Sequence, residues 1–212
     1  MARPDPDRLR GGAIGDAPGA PTRSAEAGKP FDRRGGAVHD LRVDEMPRPA
    51  QPADLAGLPA IERSADRLFA PLGIVFPPGP TVIEELIGRD VRVLVAGTPP
   101  VAFAAFRPMD GATHLEQIAV RADRVRKGIG TRLLRAVLER AGRPGVTLLT
   151  FRDVPWNAPW YARHGFAELP QDRWGPGLRA RWDAEIEAGL HALGPRTAMW
   201  GSAGNRERGR LV

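Results

Sequence analysis

The stretch from His114 to Thr131, HLEQIAVRADRVRKGIGT, carries the residue types and spacing that could hold a charged ligand. Arg124, Arg126 and Lys127 crowd around Gly128 and Gly130, and Thr131 follows at once. Beyond it, Leu133, Leu134, Val137, Leu138 and Ala141 recur on one side of an amphipathic run that predicts a helix. A helix start has unpaired backbone N–H groups and a positive dipole end, and glycines let an anion come close to both. Phosphate binding is the chemistry this order suits, through the main-chain donors of the helix start at Gly128 and Gly130, a hydroxyl donor on Thr131 and the three basic side chains. A plain glycine-capped turn is the alternative. No Gly-Lys-Ser/Thr follows the glycines and the spacing is not GxGxxG, so the loop is neither a Walker A sequence nor a dinucleotide fingerprint.

The elements around this loop must place it. Residues 114–120 alternate like a strand, with Leu115, Gln117 and Ala119 predicted on one face and His114, Glu116, Ile118 and Val120 on the other. Val91–Ala96 and Val101–Arg107 are β-rich runs joined by Gly97-Thr98-Pro99-Pro100, and Met109-Asp110-Gly111 turns into the next strand, so an antiparallel meander is expected before the loop. Arg143-Pro144-Gly145 stops the helix, and Val146–Phe151 reads as a buried strand parallel to the 114–120 strand. Upstream, Arg42–Ala50 holds a first strand. Asp54 is the expected N-cap of a helix carrying Leu58, Ile61, Ala65, Leu68, Phe69 and Leu72 to Gly73, and Thr81-Val82-Ile83-Glu84 has the form of a capping box.

Downstream, Asn157 is an expected N-cap, with Pro159 in the first turn of a helix bearing Trp160, Tyr161 and His164 and ended by Gly165. A strand over Phe166–Leu169, a helical stripe of Leu178, Trp182, Ile186 and Leu190, and a last strand over Arg196–Trp200 complete the series.

The segment Val125-Arg126-Lys127-Gly128-Ile129-Gly130, between a strand and a helix, resembles the acetyl-CoA motif (Q/R)-x-x-G-x-(G/A) of the GNAT (Gcn5-related) N-acetyltransferase superfamily. Val125 departs from the pattern, standing where the family prefers Gln or Arg. Asn157, Tyr161 and Gly165-Phe166 are similar to the family's N-x-x-x-x-Y-x-x-x-GF segment. The resemblance implies an α/β (mixed α+β) fold: a twisted mixed sheet of about six to seven strands flanked by helices. It implies acetyl-CoA as co-substrate, with the CoA diphosphate held by the loop, the pantetheine arm and acetyl carbonyl by the backbone of Ile118, Ala119 and Val120, a contact from Asn157, and Tyr161 protonating the departing thiolate. His114 or Glu116 would be the general base, directly or through water. Outside the resemblance, Tyr161 reads as a half-buried aromatic, His114 as an exposed strand-edge residue and Glu116 as a cross-strand partner of an arginine. Trp156 and Trp160 could line a pocket for an apolar or cationic amine, or pack structurally.

At 212 residues the chain suits one domain of ~100–200 residues plus extensions. The domain is expected over residues 42–200, after a disordered Gly/Pro/Arg-rich extension at 1–41, which alternatively lies upstream of the true start codon, and before a flexible tail at 201–212. With no cysteine and four scattered histidines, no disulfide, thiolate nucleophile or metal centre is expected. No apolar run approaches the ~20 residues of a membrane span, and a cytoplasmic enzyme is expected. The net charge of +6 is spread among acidic residues rather than gathered in an aromatic-interleaved stripe, which disfavours nucleic acid. The acceptor is expected to be a small-molecule amine or a protein N-terminal or lysine amine, with homodimerisation open. The competing classes are a non-catalytic acyl-CoA-binding regulatory module and a basic RNA-associated protein.

Overall fold

The computed structural model describes residues 45–202. Its elements are β1 (Arg48–Pro49), α1 (Pro52–Leu55), α2 (Leu58–Asp66) continuing as a 3₁₀ segment (Arg67–Leu72), α3 (Val82–Leu86), β2 (Arg92–Gly97), β3 (Pro100–Met109), β4 (Ala112–Val120), α4 (Ile129–Ala141), β5 (Val146–Phe151), α5 (Ala158–Arg163), β6 (Ala167–Glu168), α6 (Pro176–Glu187) and β7 (Arg196–Gly201). The seven strands form one mixed sheet in the order β1-β2-β3-β4-β5-β7-β6, as the expected fold class requires. Only β4 and β5 run parallel, joined across α4. The expectation for residues 1–41 lies outside the described residues, and the last strand runs one residue further than expected, to Gly201.

Helices cover both faces because both faces of the central strands are apolar. Leu133, Leu134, Val137 and Leu138 of α4 and Tyr161 of α5 pack with Ala104, Phe106, Leu115 and Leu148 on one side. Leu58 and Ile61 of α2 and Ile83 and Leu86 of α3 pack with Val95, Phe103, Ala105 and Ala119 on the other.

The expected alternation along β4 does not hold. Ala105 lies opposite Gln117 while Phe106 lies opposite Leu115, so Glu116 is the extra residue of a bulge. The bulge shifts the phase of the strand: Leu115 joins Ile118 and Val120 on the α4 side, and Ala119 turns to α2 and α3.

Two helix readings also need correction. Asp54 is not the N-cap of α1; it is the third residue, reaching back to accept from the N–H of Gln51 at 2.7 Å, and the bidentate Arg48 beside it draws its carboxyl down to about 2. Thr81 and Glu84 do form the expected capping box at α3. On α6 the expected apolar stripe is broken: Leu178 is buried, Ile186 is half exposed, and the inward position in the last turn is Glu185, paired with Arg196 of β7 at 2.7 and 3.0 Å.

That pair fixes α6 to the sheet. Glu185→Gln leaves the Arg196 guanidinium buried without its counter-charge, and the unfolding free energy is expected to fall by about 3–5 kcal/mol in urea titrations; a change below about 1 kcal/mol would remove the pair from the core.

Candidate active site

β4 and β5 share only the pairs Thr113↔Val146, His114↔Thr147 and Leu115↔Leu148. Beyond Leu115, at the Glu116 bulge, β4 keeps its pairing with β3 while β5 continues against β7, so the two parallel strands part. Val120, at the open end of β4, leads into the basic loop.

That loop ends on Gly128, whose φ of +73° makes it the N-cap of α4; Arg126 is left-handed as well, at +63°. Among the described residues, the backbone N–H groups of residues 125–131 donate to no acceptor, and the first bond of α4 is Arg132 N–H to the Gly128 carbonyl at 3.0 Å. A row of free main-chain donors at a helix start is what an anion requires. Gly130 opens toward the cleft: a Cβ there would stand 3.6 Å from Val120 Cγ2 and 3.8 Å from Trp160 Cζ2. Ile129 is buried in the α4 core, so it can offer a ligand only its main chain, and the same holds for Ala119.

The side chains around the loop differ from expectation in two respects. Arg124 is held by Glu45 at 3.3 Å, which also takes Arg132 at 3.2 Å, so the unpaired positive charge near the glycines comes from Arg126 and Lys127, both exposed and without an ion pair among the described residues. Thr131 is no free donor. His164 Nδ1 lies 2.8 Å from the Trp160 carbonyl, which can only accept, so the ring proton sits on Nδ1 and Nε2 accepts from the Thr131 hydroxyl at 3.1 Å. This bond ties α5 to the start of α4.

Asn157 occupies the N-cap position of α5, but its side chain makes no cap; Nδ2 donates to Thr150 on β5 at 2.8 Å. Tyr161, on the next turn, is 7% exposed between Trp160 and Phe166, and its hydroxyl has no hydrogen-bond partner among the described residues. Burial pushes its pKa up, against a smaller opposing pull from Arg196, so the phenol keeps its proton.

His114 is not a strand-edge residue on the surface. It is 1% exposed, with Nδ1 3.0 Å from Thr147 Oγ1. Glu116 meets Arg107 Nε at 2.6 Å across the strand pair. Arg181 Nε of α6 stands 3.1 Å from the other carboxylate oxygen, close enough for charge attraction but off the hydrogen-bonding direction, so Oε2 receives no hydrogen bond among the described residues. The side chain is sealed from solvent.

Sequence reasoning missed Gln117 and Glu62. The Ile118 N–H donates to Gln117 Oε1 at 2.9 Å, and Gln117 Nε2 donates to Glu62 Oε1 at 2.8 Å. Glu62 in turn accepts from the N–H groups of Val82 and Ile83, each at 3.0 Å. Desolvation raises the pKa of this carboxyl although the three donors oppose it. No local signal links positions 62, 82 and 117; only the packing of α2 over β4 brings them together. No cluster of metal-ligating side chains occurs among the described residues, and no helix there is long and apolar enough to cross a membrane.

Burial draws the His114 imidazole down to about 4 from its ordinary 6.5, against the opposing pull of Glu116. The unfolded chain takes up this proton first, so on this account stability falls as pH drops from about 6.5 to about 4. Asp66 works in reverse: burial lifts its carboxyl from 3.8 to about 6, and its contribution is complete below 3.8 and lost as pH rises through 6. His114→Asn should therefore lose less urea stability than the unaltered chain between about pH 7 and pH 4.5, or gain some, and an equal loss in both would exclude a neutral buried ring.

Residues 89–168 match the acetyltransferase (GNAT) domain family. The fold is similar to that of N-acetylglutamate synthase from Neisseria gonorrhoeae, solved with coenzyme A and N-acetyl-glutamate, at a TM-score of 0.53 and 18% identity over 73% of this chain; the matched part spans 34% of the synthase. It is also similar to that of the ribosomal-protein-S18-alanine N-acetyltransferase from Escherichia coli, at a TM-score of 0.50 and 19% identity, covering 76% of this chain and 97% of that one.

Proposed function

Through residues 89–168 this chain belongs to the GNAT acetyltransferases, and on that premise we propose that it is an acetyl-CoA-dependent N-acetyltransferase moving the acetyl group directly to a primary amine. The observation that carries the reading is the parting of β4 from β5 after Leu115, next to a loop whose N–H groups from residue 125 to 131 have no partner among the described residues. A wedge between strands suits an extended pantetheine arm, and the donors at its mouth suit a diphosphate.

In this reading the main-chain groups of Val125, Arg126, Lys127, Gly128, Ile129, Gly130 and Thr131 hold the diphosphate, with Arg126 and Lys127 adding charge. Ile118, Ala119 and Val120 line the arm. The Ile118 N–H polarises the thioester carbonyl once the Gln117 oxygen withdraws from it. Asn157 meets the cofactor through its amide oxygen, since Nδ2 is engaged by Thr150.

An amine attacks only when neutral, so a proton acceptor is needed near it and a proton donor near the departing sulfur. Glu116 is the acceptor favoured here: it stands where the strands part, and its Oε2 receives no hydrogen bond among the described residues. His114, whose buried ring is drawn down to about 4, is the other candidate. Tyr161 is the donor, because burial keeps the proton on a hydroxyl with no other partner among the described residues.

Tyr161→Phe is expected to keep thermal stabilisation by acetyl-CoA while kcat falls by about 10²-fold or more, and undiminished turnover at saturating substrates would remove Tyr161 from the acid role. Gly128→Glu sets bulk and negative charge among the loop donors and should weaken CoA binding at least ~10-fold by calorimetry; unchanged affinity would refute the loop as the diphosphate site.

A further inference from the structure

Past the last residue of β5 the sheet is covered by the 3₁₀ segment that ends at Leu72 and by the turn that leads into β7. Between them lies a cavity of about 280 Å³ walled by Leu72, Ile74, Phe151, Val154 and Leu193, with Asp153 the one ionisable residue in its lining. Phe69 and Phe76 back the wall, their rings 5.8 and 6.2 Å from Phe151, and Trp156 meets Phe69 edge-on at 5.5 Å. Leu72, Val75 and Trp156 are 47%, 68% and 41% exposed, so half of the six large exposed hydrophobic side chains among the described residues are in or next to this corner. An apolar concentration of that kind is uncommon on a surface that binds nothing.

The positive charge at hand is already spoken for. Arg196 stacks 4.5 Å over the Phe151 ring, but its guanidinium is bound by Glu185 at 2.7 and 3.0 Å. Arg152 turns a guanidinium N–H to the Arg196 carbonyl at 3.4 Å and does not line the cavity. Asp153 is left as the lining charge, which favours a cation over an anion.

We infer that this cavity seats the acetyl acceptor, and that the acceptor is a small primary amine bearing one aromatic ring or a branched apolar group of similar size and no carboxylate. The inference rests on the acetyl-transfer reading and names the substrate class of that site. Phe151, one wall of the cavity, is the last residue of β5, the strand from which β4 parts, and so lies on the strand that bounds the open end of the wedge. The cavity's volume of about 280 Å³ falls just below the range of ligand clefts, roughly 300–1,000 Å³, and suits a group of one ring.

The test uses the full chain. Thermal shift with acetyl-CoA is measured first, then thiol release with 2-phenylethylamine, isoamylamine, L-phenylalanine, L-glutamate, spermidine and an alanine-starting peptide. The kcat/KM for 2-phenylethylamine and isoamylamine should exceed that for glutamate, spermidine and the peptide by about 10–200-fold, the range an apolar pocket can discriminate. Phenylalanine should fall below phenylethylamine. Leu72→Asp, at a half-exposed wall position, should raise KM for phenylethylamine about 10-fold or more, keep kcat, and leave the acetyl-CoA shift unchanged. Stabilisation by acetyl-CoA together with a preference for glutamate, spermidine or the peptide, or an unmoved KM in Leu72→Asp, would overturn the acceptor class and leave the transferase standing. No stabilisation by acetyl-CoA and no thiol release with any amine would overturn both.

Discussion

Two parallel strands held together at one end and free at the other are the constraint on which this molecule turns. Three residue pairs join β4 to β5, and after Leu115 each strand keeps only its outer neighbour. Separated strands expose ladder groups that an intact sheet would satisfy, so the arrangement needs support from both sides. β3 supplies it for β4 through a long antiparallel ladder, and β7 supplies it for β5 over six pairs. The bulge at Glu116 sits at the fork, where an extra residue lets the strand bend. The wedge thus comes from sheet construction and does not depend on a mobile loop.

The loop beside the wedge complements it electrostatically. Its donors are peptide N–H groups, fixed by two left-handed residues and by the start of α4, so they are in place before any anion arrives. Glu45 draws off Arg124 and Arg132, which limits the unpaired positive charge around the loop. The Thr131–His164–Trp160 chain binds α5, and with it Tyr161, to the same helix start. The residue assigned to the leaving group and the site assigned to the diphosphate are therefore linked through one helix start.

Charged groups buried under the helices do the positioning elsewhere. Glu116 with Arg107 and Arg181, Glu185 with Arg196, and Glu62 with Gln117 and the start of α3 each cross from a helix to the sheet or to another helix. Such pairs contribute little net stability against apolar residues of the same volume, but breaking one is expensive, so they penalise any shift of α6 or α2 across the sheet. α6 illustrates the consequence: its inward face is partly ionic, and an apolar stripe could not have described it.

Local patterns in the chain determined the order of elements, the meander into β4, the parallel return through α4, the capping box at Thr81 and the glycine start of α4, because each depends on neighbours in sequence: turn residues, hydrophobic periodicity and permissive φ. The glycine loop that leads into α4 was legible for the same reason. The tertiary structure alone decided which side of the sheet each part of β4 faces, since the bulge at Glu116 arises from pairing with β3 and leaves no mark in alternation. It also decided that Thr131 serves His164, that Gln117 covers the Ile118 amide, and that Phe151, Ile74 and Leu193 line one concavity. Those partners lie tens of residues apart, and a side chain's role there is set by which distant group competes for its hydrogen bond or fills the space beside it.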